Sequence, residues 1–99
     1  MDNQRIAGIL MKVQSDDLKD AEMLTDWAEE VKEAGDMSIA GALASRAKAR
    51  LNQMAECERS IESVLMRITD EGEKIDYKML YNKHINHAAD KLKARLNEM

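Results

Sequence analysis

The sequence predicts an all-α protein, in which an antiparallel helical hairpin and a third helix form an elongated three-helix bundle. Proline is absent, glycine occurs only four times, and the chain is rich in Ala, Leu, Met, Glu, Lys and Arg, which are all good helix formers. Apolar residues recur at steps of three and four, as they do on one face of a helix. No segment alternates with a period of two, so we expect no strand.

The first helix is expected over residues 2–34. The sequence allows two starts for this helix. Asp2 is a suitable cap for one continuous helix, whereas Ser15 and the acids after it would suit a helix that begins again after a break near Ser15. Gly35 supplies the stop signal. We expect Trp27 to pack in the core with its N–H group at the edge. A continuous helix would have Ile6, Ile9, Leu10 and Val13 as its early apolar face. The late apolar stripe is Leu24, Trp27, Val31 and Ala34, flanked by Leu18, Ala21 and Ala28.

The second helix is expected over residues 37–69, capped by Asp36 or Ser38. Its apolar positions form a coiled-coil seam over about four heptads, in which Arg50 is the one polar member. Cys57 should be a small buried hydrophobic residue, because nothing in mid-helix activates a thiol. The predicted seam consists of Ala40, Leu43, Ala47, Arg50, Met54, Cys57, Ile61, Val64 and Ile68.

The third helix is expected over residues 76–98, after a turn at Gly72 and with Asp76 as its cap. The short connection at Gly35 requires the first two helices to be antiparallel. Residues 1–99 therefore form one helical domain. The apolar stripe of the third helix is Tyr81, Ile85, Ala88, Leu92, Leu96 and Met99.

Arg50 is the first candidate site residue. Folding the chain at Gly35 brings Arg50 opposite the turn of the first helix that follows Ser15. Asp17 and Asp20 lie in this turn. A charge in an apolar seam needs a partner, so we expect a structural ion pair that fixes the register of the hairpin. The alternatives are a ligand-binding or catalytic arginine, or a side chain that extends to solvent.

Two further groups of side chains are candidates for binding. His84, His87 and Asp90 share one flank of the third helix, where a half-exposed histidine pair is the ordinary explanation and a metal site is the alternative. The acids of the first helix form either a solvated face or a docking face for a basic partner. The basic stretch of the third helix could in turn bind an acidic partner or the first helix of a neighbouring copy. The acidic face is represented by Asp26, Glu29, Glu30 and Glu33.

The stretch from Glu22 to Ala40, EMLTDWAEEVKEAGDMSIA, resembles the first helical hairpin of ferritin-like and rubrerythrin-like proteins, over about residues 16–68. The resemblance implies the hairpin geometry. Asp17 stands where the family has a carboxylate, but Arg50 and Gln53 stand where it has the Glu and His of a Glu-x-x-His motif. It therefore implies that an Asp17–Arg50 ion pair occupies the place of the metal centre.

The function expected from these features is binding rather than catalysis. The sequence contains no phosphate-binding glycine loop and no Ser/His/Asp set, and it predicts no cofactor. The net charge of −4 argues against nucleic acid, and no apolar run reaches the ~20 residues of a membrane span. We expect a cytoplasmic accessory or regulatory protein that forms a homodimer and binds an unidentified protein partner. The alternatives are a ferritin-like metal-carboxylate protein and an enzyme that uses Cys57 or His84.

Overall fold

The computed structural model describes residues 2–68 and 83–99. Within them, three helices follow in the order α1 (Asn3–Glu33), α2 (Met37–Leu65) and α3 (Lys83–Asn97), and these ranges contain no strand. The molecule measures 53 × 23 × 14 Å. The predicted all-α, elongated three-helix fold is therefore confirmed.

Helix α1 continues through Ser15 without a break. Its cap is Asp2, whose Oδ1 accepts a hydrogen bond of 2.7 Å from the backbone N–H of Arg5. At its other end, Gly35 has φ +94°, a backbone conformation that favours glycine. Asp36 then caps α2 by accepting a bond of 3.1 Å from the N–H of Ile39. The tight turn makes α1 and α2 antiparallel neighbours over their length.

Helix α2 ends at Leu65, earlier than the predicted residue 69. The chain tightens there, because the N–H groups of Arg67 and Ile68 bond to the carbonyls three residues before them, as often happens in the last turn of a helix. The predicted turn at Gly72 and the predicted start of the third helix at Asp76 lie outside the described residues.

Small side chains dominate the contact between α1 and α2 near the turn. Four of the five buried residues of α1, Ala7, Gln14, Ala21 and Ala28, are seven apart and form one heptad line. The fifth, Thr25, donates its hydroxyl to the carbonyl of Ala21 at 2.7 Å. The heptad line corrects the predicted stripe, because the large residues Leu24 and Trp27 flank that line instead of forming it. Small residues allow two helices to approach closely. The matching buried residues of α2 are Ala40, Ala44, Ala47, Leu51, Met54, Cys57, Ile61, Val64 and Leu65.

Helix α3 covers the half of the hairpin that is nearest the turn. Its last residues, Leu96 and Met99, lie beside Met37 and Ala40 at the start of α2. Lys93 lies farther along, beside Asn52, so α3 runs antiparallel to α2. Its apolar face enters the main core through Ile85, Ala89, Leu92 and Leu96.

Candidate functional site

Arg50 faces the acids of α1. Its Nη1 is 4.0 Å from Asp17 Oδ1 and its Nε is 3.9 Å from Asp20 Oδ2. Both distances exceed the ~2.7–2.9 Å of a charge-assisted hydrogen bond. The guanidinium instead donates a bond of 2.9 Å to Gln53 Oε1. The ion pairs are therefore loose, and part of the donor capacity of Arg50 remains unused by them.

The position of Arg50 differs from the prediction in one respect. Its side chain is 43% exposed, so it lies at the rim of the α1–α2 contact. The buried position is taken by its neighbour Leu51, which is 4% exposed. The physical reason is that a long cationic side chain keeps its head in water when its stem can lie along the surface.

The Asp17 and Arg50 side chains lie on the same side of the hairpin, 4.0 Å apart, and the resemblance to ferritin-like proteins stays a prediction. Arg50 and Gln53, at the two motif positions, bond to each other. The carboxyl group of Asp17 is mostly buried, and this desolvation raises its pKa above 3.8, although the charge of Arg50 opposes the shift. The nearby cation therefore does not fully compensate the burial of the carboxylate.

Cys57 is buried, as predicted. Its thiol donates a hydrogen bond of 3.2 Å to the carbonyl of Leu10. Burial raises the pKa of this thiol, and the charge of Asp17 raises it further. A raised pKa lowers the thiolate fraction, which is the nucleophilic form.

Gln14 is a buried polar residue that the sequence analysis did not single out. It is 1% exposed, and its Nε2 donates a bond of 3.3 Å to the carbonyl of Met54. Its Oε1 has no hydrogen-bond partner in the structure. The signal was present in the sequence, because Gln14 is in heptad register with Ala7 and Ala21.

The predicted metal ligands His84, His87 and Asp90 are all exposed on α3. Within residues 2–68 and 83–99, no group of three or more His, Cys, Asp or Glu residues is arranged to hold a metal ion. The spacing along one helix face therefore does not create a metal site in this part of the chain.

The acidic face of α1 is partly used within the molecule. Arg95 of α3 bonds through Nη2 to Asp26 at 2.6 Å and through Nε to Glu29 at 2.8 Å. These two acids therefore bind the chain's own third helix, and the docking face for a basic partner stays a prediction. Glu30 and Glu33 are both exposed.

Trp27 is 48% exposed, which corrects its predicted place in the core. It belongs to a line of residues at alternating steps of three and four on α1, which we call the outward seam. Its large apolar members Ile9, Val13 and Met23 are also exposed, at 39%, 46% and 47%, which corrects the predicted early apolar face at Ile9 and Val13. No other described helix covers them. The outward seam consists of Ile6, Ile9, Val13, Asp16, Asp20, Met23 and Trp27.

Comparison with known proteins gives no match to a family model, a curated protein or a solved structure. None of the helices in the described ranges is long and apolar enough to cross a membrane.

Proposed function

We propose that this chain is a non-enzymatic cytoplasmic protein that acts by binding, both to itself and to a protein partner, in an accessory or regulatory role. The observation that carries the proposal is the exposed apolar part of the outward seam. Tryptophan and methionine are enriched at protein interfaces, and tryptophan is prominent among the residues that contribute most to binding. Their placement on one side of one helix is typical of helix-to-helix recognition.

The charged residues support binding over catalysis. The only cysteine is buried with a raised pKa, and Arg50 is paired with acids at the rim of the helix contact. A site for acyl transfer brings a nucleophile, a base and a stabiliser of negative charge together around one position. The described side chains offer no such group of three, and we therefore assign the outward seam the role of the functional surface.

Sedimentation velocity at increasing concentration tests this proposal. The wild-type chain should exceed its monomer mass of 11.2 kDa as concentration rises into the high micromolar range. Trp27→Ser should weaken the association, because it removes the largest apolar side chain of the seam. Met66→Ser is the matched control, since Met66 is 83% exposed but lies beyond the end of α2.

A wild-type chain that stays at 11.2 kDa throughout this range would contradict self-association. Equal effects of Trp27→Ser and Met66→Ser would contradict the assignment of the surface.

A further inference from the structure

The outward seam is a second heptad line on α1, separate from the line that packs against α2. The inward line follows Ala7, Gln14, Ala21 and Ala28, whereas the outward seam lies roughly a third of a turn around the helix. A heptad line of apolar residues is the pattern by which one helix packs along another. The inward line has its partner in α2, and the outward seam has none among the described helices.

The spacing of the outward seam is symmetric. Ile9 and Trp27 are equally far from position 18, and so are Val13 and Met23. Asp16 and Asp20 lie at equal distances inside them. The seam therefore presents the same order, apolar then acidic then apolar, from either end. In an antiparallel pair with its two-fold axis at position 18, each residue faces the residue equally far on the other side of that position. The spacing therefore places apolar side chains against apolar side chains in both halves of the pair, and it places Asp16 opposite Asp20 at the centre, where bases are needed beside the carboxylates.

Each copy carries bases beside the carboxylates at the centre of the seam, and one of them, Lys12, pairs with Asp16 at 2.8 Å. Asp20 lies beside an open groove of about 400 Å³ that is lined by Leu24, Arg46 and Arg50, among others. Arg50 holds its acids only loosely, at 3.9–4.0 Å, and Arg46 has no ion pair with any residue in the described ranges. The centre of the pair would thus contain three acids of each chain, Asp16, Asp17 and Asp20, and three bases of each chain, Lys12, Arg46 and Arg50.

We propose that two copies of this chain pair through the outward seam in antiparallel orientation, about a two-fold axis near position 18 of α1. Ile9 then packs against Trp27 of the second copy, and Val13 packs against Met23. Arg46 and Arg50 line the centre of the pair and neutralise its carboxylates. This inference rests on the proposed function, and it adds the partner, the surface and the register.

Cross-linking with introduced cysteines tests the register. In a Cys57→Ala background, Val13→Cys and Met23→Cys chains carry tags of different size and are oxidised by oxidised glutathione, alone and mixed. The antiparallel pair predicts a disulfide only in the mixture. In such a pair, the two copies of position 13 lie about ten residues apart along the seam, or ~15 Å. This separation is far beyond the ~4.4–6.8 Å that a disulfide spans between Cα atoms.

Each other outcome overturns the inference in a recognisable way. Cross-linking of the Val13→Cys chain with itself would indicate a parallel pair. A doubled mass without any cross-link would indicate self-association through another surface, and would leave the proposed function standing. A mass of 11.2 kDa at high micromolar concentration would remove self-association itself. Circular dichroism checks that each variant is folded.

A charge reversal supplies a second, independent test that needs no new cysteine. Arg46→Glu should weaken the wild-type association about tenfold, because it replaces a complementary charge by a repulsive one. Lys48→Glu is the matched control, since it changes the charge equally on the side of α2 that faces α3. Equal dissociation constants for the two variants would contradict the proposed charge pairing.

Discussion

The buried amide of Gln14 leads to the most sharply defined prediction on stability. Its Oε1 is enclosed between α1 and α2 without a partner, and an unsatisfied buried polar group costs about 1–3 kcal/mol. Its Nε2 bond to the carbonyl of Met54, at 3.3 Å, is long. That carbonyl lies within α2, so it also accepts the helical bond of its own chain. Little is therefore lost when the amide is removed.

Gln14→Leu should raise the free energy of unfolding by about 1–2 kcal/mol, because it removes the unsatisfied oxygen and keeps most of the side-chain volume. For a chain of this size, that corresponds to an increase in Tm of roughly 4–15 °C. Urea unfolding followed by circular dichroism, at one fixed chain concentration, measures the difference. The fixed concentration matters because association stabilises the folded state by mass action.

Two control variants isolate the cause. Gln53→Leu makes the same change at an exposed position, where it removes the acceptor of the Arg50 hydrogen bond, so it should give no gain and should cost up to about 1 kcal/mol. Gln14→Ala leaves a cavity and should gain less than Gln14→Leu or lose stability. A loss of more than about 1 kcal/mol in Gln14→Leu would refute the reasoning, because it would mean that the amide is well satisfied in solution.

Three further predictions concern Arg95, Asp17 and Cys57. Arg95→Ala should lower the free energy of unfolding by about 0.5–1 kcal/mol. Arg95→Lys should recover only part of this loss, because lysine lacks the planar guanidinium that bonds to two acids at once. Full recovery of stability by Arg95→Lys in urea unfolding would contradict this geometry. Asp17 has its pKa raised in the folded chain, so its favourable contribution is present below the unfolded value of 3.8 and is lost as the pH rises through the folded pKa. As the pH rises from 3.8 through the folded pKa of Asp17, the free energy of unfolding of Asp17→Asn should therefore fall less than that of wild type. The same pH dependence in both chains would contradict the raised pKa of Asp17. Cys57 should react with iodoacetamide roughly 100-fold slower in the folded chain than in urea, whereas equal rates would revive an enzymatic role for the thiol.

The hairpin and its central ion pair were predictable because they follow from chain geometry. Gly35 fixes the turn, and Asp17 and Arg50 lie at similar distances on either side of it. Antiparallel helices that rise equally per residue must bring such positions opposite each other. Local sequence signals thus determined which charges meet across the hairpin.

The faces of α1 were not assigned correctly from the sequence, and the reason is the size of the buried side chains. Choosing the large apolar residues placed Trp27 inside, whereas the close approach of α1 and α2 favours Ala21 and Ala28 at the contact. The heptad spacing of the alanines was the available signal. The bond of Arg95 to Asp26 and Glu29 was not predictable, because no local pattern sets how a third helix docks on a hairpin.

We propose that a second copy covers the outward seam. The fluorescence of Trp27 is the most direct test of this proposal. It is the only tryptophan and is 48% exposed in the single chain, so its quenching by acrylamide reports on this surface alone. If two copies pair through this seam, acrylamide should quench Trp27 strongly in dilute protein. As the concentration rises and the chains pair, quenching should weaken and the emission should shift to the blue. Equal quenching and an unchanged emission maximum across a concentration range in which the mass doubles would contradict this proposal.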